Sequence, residues 1–176
     1  MTVIASMLAL NCSTMRKDDF SGGTKKEYHE NGTIAMEAEY KDGKKNGIFR
    51  TWYDNGQLHS QAFFEEDSLI GYAVAYYRNG KMNYENTRNN RHKYEGLSRS
   101  WYEDGTLADS GYYDDGKFVG EWRGYFNNGK LKYIRRYNKG ELDGLAVSLS
   151  VEGDTTKLLL YQEGLLIKSK ENFIHN

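Results

Sequence analysis

Proline is missing from all 176 residues. Nothing in the chain therefore removes a donor from a β-ladder, and no stiff proline-rich linker is present. There is one cysteine, Cys12. No disulfide can form within the chain, and no cysteine-based zinc site is possible, because such sites need two to four spaced ligands. Neither sign of charge is in excess: 24 Lys and Arg stand interspersed with 25 Asp and Glu, for a formal net charge of −1. Sequence-independent nucleic-acid binding needs surplus positive charge against the phosphates, so no nucleic acid is expected as a partner. Long apolar runs are missing too. The stretch from Val3 to Leu10 falls well short of the roughly 20 residues that span a bilayer as a helix.

Glycine and aromatic residues are abundant, with 19 Gly, 15 Tyr, 7 Phe and 3 Trp. They recur in order. "EYHENG" at 27–32 is followed by "WYDNG" at 52–56, "YYRNG" at 76–80, "WYEDG" at 101–105 and "YFNNG" at 125–129, with a worn copy, "LSVEG", at 149–153. The closing glycines Gly32, Gly56, Gly80, Gly105, Gly129 and Gly153 are spaced by 24, 24, 25, 24 and 24 residues. A fixed period of this size marks a repeat array. Counting from each of these glycines, position −9 is always Gly (Gly23, Gly47, Gly71, Gly96, Gly120, Gly144). Position −4 is Tyr28, Trp52, Tyr76, Trp101, Tyr125 and Leu149, and position −3 is His29, Tyr53, Tyr77, Tyr102, Phe126 and Ser150. Position +2 is mostly aliphatic, and position +8 is mostly aromatic.

Asn-Gly between apolar or aromatic residues is a strong hairpin signal and predicts a tight type I′ turn. The flanking segments, such as "GKLKYIRRY" at 129–137, have strand composition and alternate with period two. The chain therefore reads as all-β: an elongated, single-sheet antiparallel meander of about six β-hairpin repeats. At about 4.8 Å per strand it would extend roughly 55–60 Å. The array is expected over 23–167, after an apolar segment at 1–12 and a polar tether at 13–22, and before a tail at 168–176. A lone hairpin is marginal in water. Tyr28, Trp52, Tyr76, Trp101 and Tyr125 are therefore expected to form a structural ladder of stacked rings between repeats. The column Tyr53, Tyr77, Tyr102 and Phe126 is the candidate contact face. Gly32, Gly56, Gly80, Gly105 and Gly129 are the turn glycines.

The aromatic pair, the x-[ND]-G turn, the aliphatic residue two places on, the later Tyr and the closing Gly together resemble the MORN-repeat variant, the bacterial branch of MORN repeats. The resemblance covers about 145 of the 176 residues. It implies an elongated hairpin array that binds rather than catalyses. Members of this branch are often described as antitoxins of toxin–antitoxin systems. Two units depart from the pattern. One carries Arg88, Arg91 and an extra residue in "TRNNRHKYEG", and the last has lost its aromatic pair.

The N-terminal "MTVIASMLALNC" resembles the end of a bacterial lipoprotein signal, although it lacks the positive charge such signals usually carry. On this reading Cys12 is the lipidation site, and an acyl chain anchors the protein to the cell envelope without a transmembrane helix. A cytoplasmic protein is the alternative.

No converging set of catalytic groups is visible, so no enzyme, cofactor or metal is expected. His29, His59, His92 and His175 fall at different repeat positions, and no phosphate-binding loop or nucleophile elbow occurs. The expected function is a monomeric, non-catalytic module that binds a protein partner from the envelope. The alternatives are an antitoxin-like protein that neutralises a toxin in the cytoplasm, and repeats that bind a lipid surface.

Overall fold

A computed structural model describes residues 21–171 of the chain. Fourteen strands and no helix occur among them. The hairpins follow in chain order: β1 (Gly22–Tyr28) with β2 (Ile34–Lys41), β3 (Lys44–Trp52) with β4 (Leu58–Glu65), β5 (Ser68–Tyr76) with β6 (Met82–Arg88), β7 (Tyr94–Trp101) with β8 (Leu107–Asp114), and β9 (Lys117–Tyr125) with β10 (Leu131–Asn138). A two-residue strand β11 (Glu141–Leu142) pairs with β10 beside β12 (Gly144–Leu149), which pairs in turn with β13 (Thr155–Gln162), and β14 (Leu165–Glu171) closes the series. Apart from the short β11, every neighbour in sequence is a neighbour in the sheet, and all pairs are antiparallel. The architecture is the open meander expected from the repeats. Its strands run on to Glu171, past the expected limit at 167.

The motif turns are not the type I′ turns expected, and that geometry appears instead in the return turns that join one hairpin to the next. The motif turns are type I turns followed by a glycine bulge. Gly56 N donates to the Tyr53 carbonyl and Tyr53 N to the Gln57 carbonyl, both at 2.9 Å. Only the glycine adopts positive φ there (+81° at Gly56), so Asn55 serves another purpose. The type I′ geometry lies in the return turns. Both central residues have positive φ in Asp42-Gly43, Glu66-Asp67, Asp115-Gly116, Lys139-Gly140 and Glu163-Gly164. Two-residue loops need that backbone because its twist matches the strands. The exception is the return turn at 89–93. Its extra residue lengthens it into a type I turn with a bulge, and His92 takes the left-handed position at φ +61°. This accounts for the single 25-residue step.

The −9 glycines also have positive φ, from +66° at Gly71 and Gly120 to +123° at Gly47. Apart from Gly23, in the first strand, they sit where the ladder to the preceding strand changes register. Ala62 pairs with Ala73 but Phe63 pairs with Ile70, so Gly71 and Tyr72 bulge between them.

One layer of sheet hides little. The buried apolar residues are Ala38, Ala73, Val74, Ala75, Trp122 and Ala146, and no large side chain is fully buried among the described residues. Ring packing makes up part of the deficit, in columns other than the one expected. Tyr94 stacks on Tyr113 at 4.9 Å, Tyr113 on Phe118 at 4.8 Å, and Phe118 meets Tyr137 at 5.0 Å. Trp122 packs edge-on against Tyr113 and Phe118. Phe49 and Phe64 form a similar pair at 5.5 Å, with the Lys45 ammonium over both rings. The stacked rings alternate between position −11 (Tyr94, Phe118) and position +8 (Tyr113, Tyr137) on successive strands, while Phe49 and Trp122 both stand at position −7. Copies of position −4 lie two strands apart, about 9.6 Å, beyond ring contact. Among the described residues no ring pair joins Tyr28, Trp52, Tyr76, Trp101 and Tyr125. Each instead opposes the apolar residue at +2 of its own hairpin, as Trp52 opposes Leu58 and Trp101 opposes Leu107.

Candidate functional site

The motif residues lock repeats together. The Tyr53 hydroxyl donates to the Tyr76 carbonyl at 3.0 Å, Tyr77 to Trp101 at 2.6 Å and Tyr102 to Tyr125 at 2.8 Å. His29 Nε2 takes the same place, 2.9 Å from the Trp52 carbonyl. In three of the motif turns the asparagine before the glycine works in both directions. Asn55 Oδ1 accepts from Gln57 N inside its own turn, and Nδ2 donates to the Arg78 carbonyl of the next repeat at 3.1 Å. Asn31 and Asn79 do the same. The return turns are stitched as well: Gly116 N donates to the Tyr94 carbonyl and Gly140 N to the Phe118 carbonyl.

Tyr53, Tyr77, Tyr102 and Phe126 are therefore half-buried parts of the frame, and the contact face assigned to them from sequence is a correction. The hydroxyls of Tyr53, Tyr77 and Tyr102 are committed to the following repeat. Desolvation holds the Tyr77 phenol above its ordinary range. The turn glycines Gly32, Gly56, Gly80, Gly105 and Gly129 all occupy the bulge position, at φ between +80° and +90°. Cys12 lies outside the described residues.

The two faces of the sheet differ. One, the ladder face, carries the stacked rings. The other carries a charged row flanked by apolar side chains. Along that row Glu37 bridges Lys26 and Arg50, Arg50 Nε donates to Gln61, and Arg99 Nε donates to Glu85 at 2.6 Å. Glu121 bridges Arg123 and Arg136. The Tyr72 hydroxyl donates to Glu85 at 2.7 Å, and burial together with this bond pushes its pKa up to about 12. Beside the row, large apolar side chains remain open to solvent: Phe63 is 42% exposed, Tyr72 49% and Tyr112 53%. Leu145 and Leu160 continue this exposure opposite one another on β12 and β13. Ile48 and Ile70 flank Phe63 in register, and Leu97 and Val119 flank Tyr112. Sequence reasoning passed over these positions because +7 and −8 do not hold one residue type through the copies. The available signal was an apolar residue next to the aromatic +8 column, as in "FF" at 63–64 and "YY" at 112–113.

Among the described residues no three His, Cys, Asp or Glu side chains gather as a metal site would require.

The family described as the MORN repeat variant matches residues 22–42, 45–66, 94–115 and 118–139. Each match is one hairpin, and the chain carries at least these four repeats of that family. The hairpins β5–β6 and β12–β13 are unmatched, and they belong to the two units that depart from the motif. Both keep the hairpin geometry. No curated protein matches the chain.

Proposed function

We propose that this chain is a non-catalytic binding scaffold that holds a protein partner on the face opposite the ring ladder. The exposed apolar strip around Phe63, Tyr72 and Tyr112 is the observation that carries the reading. Apolar surface of this kind, rimmed by polar residues, marks interaction sites. Its rim charges are already paired with one another, so covering them strands no lone ion. Aromatic anchors inside a polar rim are the usual anatomy of a protein interface. The reading includes a lipid tether at Cys12 to a bacterial envelope. That part rests on the sequence of residues 1–12.

Paired substitutions test it. Phe63→Ser with Tyr112→Ser should weaken capture of the native partner by about tenfold or more. The far-UV circular-dichroism spectrum and the melting temperature should stay close to those of the parent chain. Undiminished capture by a folded double variant would remove the strip from the account.

A further inference from the structure

The ladder face holds two adjoining cavities, of about 340 Å³ and 290 Å³, that share Ser98, Ser100 and Tyr113. Together they form a trough from β5 to β10, crossing five inter-strand steps or about 24 Å. Small residues make its floor: Ala73 lines one end, and Ser98 stands opposite Gly111. Rings stand along it. Trp122 lies over Gly111 and Tyr133 over Gly124, so that a Cβ at either glycine would run into the ring. Tyr84, 42% exposed, stands on the wall nearer β5.

The polar groups of the trough are unspent. Among the described residues, the side chains of Asn86, Ser98, Ser100, Asp109 and Arg135 make no hydrogen bond or ion pair. Arg135 only lies over the Tyr133 ring, 4.5 Å from its centroid. Asp109 is half-buried beside the rings. The opposite face, where Glu37, Glu85 and Glu121 all have partners, is the contrast. Unspent donors and acceptors between aromatic rings are the makings of a ligand site.

The chemistry narrows the ligand. The sheet's backbone N–H and C=O groups are used within the ladder, so this face offers side chains only. An extended peptide laid across it would leave its own amides unmatched, and such peptides belong at a sheet edge. A lone cation or anion meets both Asp109 and Arg135 and gains little net attraction. A pyranose ring suits the trough. Its C–H face stacks on an aromatic ring. Its hydroxyls both donate and accept, which serine, amide, carboxylate and guanidinium groups together can serve. The length of one pyranose unit is also close to one inter-strand step of about 4.8 Å. We propose that the trough over β5–β10 binds a neutral linear oligosaccharide, independently of the protein partner on the other face.

The test is calorimetric titration of the full chain with the pentamers of β-1,4-linked glucose, β-1,4-linked N-acetylglucosamine and α-1,4-linked glucose, alongside choline chloride. The expected result is saturable binding of at least one pentamer, with shifts of the Trp122 indole and the Ser98 and Ser100 amides in nitrogen-15 spectra. Asp109→Ala and Arg135→Ala should each weaken that binding by about tenfold or more. The milder Asp109→Asn keeps the volume and should also weaken it, and Tyr112→Ser should leave it unchanged. Failure of all three pentamers at millimolar concentration would overturn the proposal. So would undiminished binding in both alanine variants, binding of choline alone, or a protein segment found occupying the trough.

Discussion

A tyrosine hydroxyl at position −3 does its work one repeat away. The bond from Tyr77 to the Trp101 carbonyl is the shortest of the three, at 2.6 Å. Tyr77→Phe removes this donor and nothing else. The expected loss is about 0.5–1.5 kcal/mol, the usual net value of one hydrogen bond, measured by urea denaturation. Position 126 offers the mirror experiment, because phenylalanine stands there and the junction to β12 has no hydroxyl to lock it. His92 carries strain of another kind. At φ +61° it occupies a conformation that glycine takes at little steric cost. His92→Gly should raise stability by roughly 0.5–1 kcal/mol, and a fall would show that the side chain matters more than the backbone. The phenols also set an alkaline limit. Burial pushes the hydroxyls of Tyr77, Tyr113 and Tyr133 up, and that of Tyr72 up to about 12. A raised folded pKa means this stabilisation is complete below the unfolded value of about 10 and is lost as pH rises through the folded values. The melting temperature should therefore hold to about pH 10 and fall steeply between about 10 and 12. A flat profile to pH 12 would contradict these shifts.

At the scale of the hairpin, Asn31, Asn55 and Asn79 each make a bond inside their own turn and another to the next repeat. Asp104 stands at this place in "WYEDG". Its carboxylate still accepts from Thr106 N at 2.8 Å, which lowers its pKa, but it has no N–H to reach the following turn. Asp104→Asn should supply that donor and raise the melting temperature, whereas Asn55→Asp should lower it by cutting the bond to Arg78. Gly111 is constrained by packing, since its φ is ordinary and the space above it holds the Trp122 ring. Gly111→Ala should cost about 1–3 kcal/mol through overpacking and shift the tryptophan emission. Much of this hairpin was legible in the sequence. The period, the strand pattern and the −9 glycines are column signals that six copies repeat. The turn types were not, because Asn-Gly serves both a type I′ turn and a bulged type I turn. Loop length decides between them, through where pairing resumes: Trp52 with Leu58 across one, Lys41 with Lys44 across the other. The ladder was misplaced for a related reason. Copies of one column sit two strands apart, so rings meet only when two different columns alternate, as Tyr113 and Phe118 do.

The described residues form one sheet whose edge strands are β1 and β14, and every residue of those two strands is exposed. Lysines at 25, 26, 168 and 170 mark those edges, a common guard against edge pairing. Stability in such an array passes between neighbours, and the outermost strands have one neighbour each. Amides of β1 and β14 should exchange with solvent faster than those of β5 and β9, where Ala73, Val74, Ala75 and Trp122 are buried. The sheet also separates two chemistries. Its ladder face leaves polar groups unspent, and its opposite face pairs its charges and exposes Phe63, Tyr72 and Tyr112. No single column of the sequence reveals that division, because pairing such as Arg50 with Gln61 or Arg99 with Glu85 joins residues on different strands. The most direct measurement is site-specific photocrosslinking in the native cells, with the probe placed at Phe63, at Tyr112 and, on the ladder face, at Ser100. The account expects one and the same protein crosslinked from Phe63 and Tyr112 and none from Ser100. No adduct from Phe63 and Tyr112, or the same partner captured from Ser100, would contradict it.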